Sequence, residues 1–170
     1  SQPVTDSFDI TVSAVAETPM VTGSVATSAT LHEVTDILID LNVTSYDKDG
    51  SETVSQIRIS GLTGIGDQNL TGTLVDGIGN LIGSSDGSGT TILTSEEYFA
   101  AIDGTAPIFF RPPADYSGVV SLSAVAVVQE PNGSTAMSAS SSLSFKLTPV
   151  SVIVSKTPEI SLTDVSVVEF

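Results

Sequence analysis

The chain has 170 residues, of which 40 % are hydrophobic, none is cysteine, and 20 are acidic against 5 basic, for a net charge of -15. That length suffices for one sizeable β-sandwich core, the apolar content argues against disorder, and the negative field repels nucleic acid and anionic lipid while it attracts cations. Without cysteine there is no disulfide, thiolate nucleophile or zinc-thiolate site, and His32 alone cannot build a multi-histidine centre, which leaves hard, oxygen-ligated cations.

Ser1 begins in mid-pattern with no basic and then apolar leader, which predicts an internal fragment of a longer chain. Residues 8–15 alternate apolar and polar side chains and read as a strand; residues 37–43 and 54–59 read the same way. The stretch 61–89 is rich in Gly, Asp and Asn around short apolar pairs such as Leu74 with Val75 and Leu81 with Ile82, so it is expected to fold as hairpins with long turns whose register the sequence does not give. Its glycines lack the strand-to-helix context and the Lys of a phosphate loop, and are read as turn residues.

Residues 94–102 carry the one helical pattern, with Thr94 or Ser95 as N-cap and early carboxylates facing the helix dipole. Further strands are expected over 108–111, 118–128 and 142–147, separated by Pro, Gly, Asn and Asp clusters. The spacing predicts an all-β, Ig/cadherin-like antiparallel β-sandwich with a Gly-rich insertion and one short helix. No apolar run approaches the roughly 18 residues needed to cross a bilayer.

A weak internal repeat joins the two ends: residues 8–19 and 145–158 each run from a strand pattern beginning with Phe to a Thr-Pro pair. Pro19 and Pro158 lie about 139 residues apart, long for one repeat but compatible with a decorated sandwich in a tandem array. On this reading residues 1–18 end a preceding module or add a strand plus linker here. Residues 19–158 form the sandwich, and 159–170 begin the next module or supply a terminal strand.

The acidic residues carry the chemistry. Asp47, Asp49 and Glu52, with the Ser51 hydroxyl between them and Gly50 free to adopt a strained backbone angle, lie in one turn between two strand patterns. Calcium takes about six to eight oxygen ligands, and carboxylates held this close repel one another unless a cation neutralises them. The turn is not an EF-hand, since its glycine falls at the fourth position and the closing Glu is missing. A solvated Asp-rich β-turn needs no metal and stands as the alternative. Glu17, Glu33, Asp36, Asp40 and Glu130 could complete a site from a distance, although each alone is more often a surface acid. The predicted metal ligands are Asp47, Asp49, Glu52, Glu33 and Glu17, for Ca2+; no catalytic residue is predicted.

Residues 47–53 (Asp47, Asp49, Gly50, Ser51, Glu52), then 57–62, then 109–120 with Pro112, Pro113, Ala114, Asp115, Tyr116 and Gly118, resemble the cadherin-like tandem repeats of RTX adhesins over roughly residues 17–158. The resemblance implies a calcium-stabilised stalk module of a type I secreted adhesin on a Gram-negative cell surface, which projects ligand-binding domains. Its partners would be the neighbouring repeats of the same chain, with a host or surface ligand for the parent protein, and the fragment itself a monomer. Where the family has an Asn-Asp-Ala-Pro linker, this chain has Glu17-Thr18-Pro19 and Lys156-Thr157-Pro158, and Lys156 argues against an acidic ligand at the second junction.

Two other classes are weighed. A module that binds peptide or carbohydrate through the Gly-rich insertion would want exposed aromatics, but there is no Trp and aromatics are 5 % of the chain. An enzyme would need carboxylates opposed across a cleft or a Ser-His-Asp arrangement around His32, and neither can be placed.

Overall fold

The computed structural model describes residues 3, 6–26, 31–33 and 35–150. The expected next-module start at 159–170, and the Lys156-Thr157-Pro158 linker, lie outside the described residues.

Alternation sets the faces of each strand. In β2 (Ile37–Thr44) Ile37, Ile39 and Leu41 are buried while Leu38, Asp40 and Asn42 face out. In β8 (Gly118–Gln129) Val120, Leu122, Ala124, Ala126 and Val128 turn inward, and in β10 (Ser141–Leu147) Leu143, Phe145 and Leu147 do so. Burying each large aliphatic side chain contributes about 1.5–3 kcal/mol, so a one-residue slip in any of these strands would reverse a whole face and is strongly opposed.

Two antiparallel sheets result. One has the order β1 (Met20–Val25), β2, β7 (Phe109–Arg111), β4 (Thr73–Val75). The other runs β10, β8, β3 (Thr53–Ser60), β6 (Thr90–Thr94), β5 (Ser84–Ser85), with β9 (Thr135–Met137) also paired to β8. The neighbour order matches the immunoglobulin-type sandwich with an extended second sheet, except that the chain visits β4 in the first sheet before it forms β5 and β6 in the second. Phe110 and Phe145 meet edge to face across the core, with ring centroids 5.6 Å apart. At the sandwich edge β1 lies so close to β10 that a Cβ on Gly23 would sit 2.9 Å from the Leu143 methyls. That need for glycine explains why the sequence conceals β1.

Helix α1 (Ser95–Ile102) follows β6 directly. Thr94 accepts from the Glu97 N–H, and Glu97 reaches back to the Thr94 N–H in a complete capping box. Tyr98, fully buried, receives the Val43 N–H on its hydroxyl at 2.9 Å, and so satisfies a β2 donor beyond the point where β7 stops pairing. Within the insertion, isolated bridges join Ile65 to Leu70 and Val75 to Leu81, and β5 and β6 form a hairpin.

One expected strand is corrected. Residues 8–15 form no strand among the described residues, and Phe8, Ile10, Val12 and Val15 are exposed. Period-two alternation specifies two faces but not a partner, and the sheets here leave this segment unpaired.

Candidate metal centre

The turn between β2 and β3 is organised by Asp47. One of its carboxylate oxygens accepts from the N–H groups of Asp49 and Gly50, each at 3.0 Å, and the other accepts from the Glu52 N–H at 2.8 Å. Gly50 adopts φ 79° to bring its N–H round. These backbone donors, the Glu52 N–H first, hold the Asp47 carboxyl below the ordinary carboxylate range against the opposing effect of burial. Asp49 in turn accepts from the Ser51 N–H at 3.1 Å, and Glu52 from the Ser45 hydroxyl at 2.5 Å.

Topology brings two further acids to this turn. The end of β2, the start of β3, the end of β8 and the start of β1 share one end of the sandwich, because Met20 pairs with Thr44 and Thr53 with Gln129. Glu130 follows β8 immediately and Glu17 precedes β1. The carboxylates of Glu17, Glu52 and Glu130 approach within 4.8 Å of one another, and so do those of Asp47, Asp49 and Glu130. Glu130 is common to both groups and only 3 % exposed.

The segment before β1 is fixed to this end by its backbone. The Glu17 N–H donates to Glu52 at 2.8 Å, the Ala16 N–H to the Ser134 hydroxyl at 3.1 Å, and the Asn132 amide to the Ala14 carbonyl at 2.6 Å.

Donor counting leaves one contact of this group unmet. The Ser51 hydroxyl lies 2.5 Å from Asp49 Oδ1 and 2.6 Å from Glu130 Oε2, yet a hydroxyl has one proton to donate. With both acids ionised, one of these contacts sets oxygen against oxygen with nothing between. Ser45 shows the satisfied case, as it donates to Glu52 and accepts from the Asp47 N–H at 3.1 Å. Among the described residues the only ion pair is Arg111 with Asp36, so none of the five acids is paired with a basic side chain. The donors are all oxygen and mostly anionic, a set that could hold a hard divalent cation such as calcium and offers no nitrogen or sulfur to softer metals.

Of the predicted ligands, the structure gathers Asp47, Asp49, Glu52 and Glu17 and leaves out Glu33. Glu33 precedes β2, at the opposite end of the sandwich, where it accepts from the Val150 N–H at 3.3 Å beside the bridge between His32 and Thr148. Asp36 is engaged by Arg111 and Asp40 points outward from β2. Asp115 occupies a turn at φ 60°. Ser51 and Glu130 complete the group; the second had only the signal of an acid next to a strand pattern, a signal Glu33 shares.

No protein-family model, curated protein or solved structure matches this chain.

Proposed function

We propose that this chain is a calcium-stabilised spacer module of an extracellular tandem array, of the kind found in bacterial surface adhesins, with its ion-binding end formed by Glu17, Asp47, Asp49, Glu52 and Glu130. The observation that carries the reading is the buried Glu130 carboxylate, shared by two groups of acids that pair with no basic side chain among the described residues. A cation there would tie together the segment before β1, the turn between β2 and β3, and the turn after β8. It would stiffen the point at which the chain enters the module. Stiff junctions hold a row of sandwiches extended, and that is the mechanical task of a stalk. The module itself performs no catalysis in this reading. Extracellular modules bind calcium at about 10⁻⁴–10⁻³ M, which suits a cell surface rather than a calcium-poor interior.

Melting the protein in excess EDTA and then in about 10 mM calcium tests the proposal. Saturation at 100-fold over the dissociation constant stabilises by about 2.7 kcal/mol, or about 5–10 °C in Tm for a chain of this size. Magnesium at the same concentration should give a smaller shift, because it dehydrates reluctantly and demands octahedral geometry. An unchanged Tm in calcium would refute the ion-binding role.

A further inference from the structure

Residues 6–15 present a contradiction within the chain. Phe8, Ile10 and Val12 alternate with polar residues in the sequence, and they are 83 %, 75 % and 88 % exposed. Three large hydrophobic side chains left to water within five residues are a signature of a missing partner. The sequence says what kind of partner. Ser7-Phe8-Asp9-Ile10-Thr11 repeats the pattern of Ser144-Phe145-Lys146-Leu147-Thr148, and in β10 the corresponding Phe145 and Leu147 are only 8 % and 1 % exposed, packed in the core from the strand paired to β8.

We infer that residues 7–12 are the final, β10-like strand of another β-sandwich of the same repeat, lying immediately N-terminal to this one, so that the border between the two modules falls at residues 13–17. This inference shares the tandem arrangement with the proposed function but not its ion. The backbone contacts of Ala14, Ala16 and Glu17 already fix where the segment leaves this module. Between Ile10 and Ala14 the chain can span no more than about 14 Å, at 3.3–3.6 Å per residue. The preceding sandwich would therefore abut the acidic end, with its β10 entering directly above Glu17. Lys146 is exposed between the buried Phe145 and Leu147, and Asp9 would take the same outward position, where either charge is solvated.

The test uses two chains, both in chelator so that the outcome is independent of calcium. One is the protein itself. The other is a tandem in which residues 19–143 are followed directly by residues 7–150, so that Ser7, Phe8, Asp9 and Ile10 replace the end of β10 in the upstream copy. The tandem should show two cooperatively folded units, with the amides of Phe8 and Ile10 as protected from hydrogen exchange as those of β8. The pair Phe8→Asp and Ile10→Asp should then unfold the upstream unit of the tandem alone and leave the Tm and the monomeric state of the single chain unchanged. A tandem with one folded unit would overturn the inference. So would a fall in the single chain's Tm on the double substitution, which would assign the segment to its own module. Concentration-dependent protection of residues 8–12 in the single chain would assign it to a second copy, and would likewise overturn the inference.

Discussion

The acidic turn at residues 47–52 and the two acidic turns of the insertion are built alike and end differently. Asp76 accepts from the N–H groups of Ile78 and Asn80 at 3.0 and 2.8 Å, and Asp86 from the Ser88 N–H and hydroxyl at 2.8 and 2.7 Å. Both carboxyls are held below their ordinary range, with burial the largest single influence on Asp76 but opposed by the combined Asn80, Ile78 and Gly79 hydrogen bonds, and the Ser88 hydroxyl leading at Asp86. Asp47 is satisfied in the same way by its own loop. The difference is that β1 begins and β8 ends beside it, bringing Glu17 and Glu130, whereas among the described residues neither Asp76 nor Asp86 falls in a group of three acids. An Asp-rich turn is thus self-sufficient by itself, and becomes a candidate cation site only when the fold adds charges that the turn has no donors left to meet.

Glu130→Gln should break this contrast most sharply. In calcium the variant should lose most of the ion's stabilisation, about 2 kcal/mol or more, because the acid common to both groups is neutralised. In chelator it should be no less stable than the wild type, and up to about 1 kcal/mol more stable, since a clustered charge is gone and the amide supplies a donor. Thermal melts in both media read the reversal of sign. Equal losses in both would make Glu130 a plain structural acid.

Glu97 is a carboxylate satisfied wholly by neighbours, and its replacement should act equally with and without calcium. It accepts from the Gly83 N–H at 2.8 Å and the Thr94 N–H at 2.7 Å, and so joins the insertion to the start of α1. Glu97→Ala should cost about 1 kcal/mol at neutral pH, the usual worth of a helix cap, or about 2–4 °C. Burial, the largest influence on the Glu97 carboxyl, raises its pKa, but the N–H donors of Gly83 and Thr94 outweigh it and leave the group below its ordinary value of 4.5. Its contribution is therefore complete above that value and disappears as the pH falls through the lowered one. Wild type and variant should converge in acid, and a gap that persists at low pH would assign the loss to the packing of the side chain and not to its charge, since Ala is the better helix former.

What could be read from the sequence follows the range of the interactions. Residues 94–102 were readable as a helix with Thr94 or Ser95 as its N-cap because the signals lie in one turn, and Asp47, Asp49 and Glu52 were readable as a group for the same reason. The sequence reading favours Glu33 over Glu130, although each is an acid beside a strand pattern. Which one reaches the turn depends on β8 ending next to the start of β3, a pairing between residues some 75 positions apart. The alternation in residues 8–15 was real, but pairing needs a neighbour that alternation does not specify. In β1 the reverse holds: Gly23 spoils the strand signal because β10 leaves no room for a side chain.

The smallest effect belongs to the one ion pair among the described residues, and it separates geometry from energy. Arg111 grips Asp36 with two parallel bonds of 2.9 and 2.7 Å, the arrangement that gives carboxylate pairs their specificity. The side chains are nevertheless 44 % and 33 % exposed, where water and salt screen the attraction and ordering two long side chains offsets most of the rest. Arg111→Gln should change the Tm by less than about 2 °C, with no dependence on calcium. The Arg111 guanidinium also reaches the Gly79 carbonyl at 3.4 Å, so a larger fall, removed by added salt in the wild type, would mean that this pair pins the Asp76 turn to the sheet. In that case the insertion would depend on a charge from outside itself, as the turn at residues 47–52 does in the proposed function, and the contrast between the two regions would narrow to the sign of that charge.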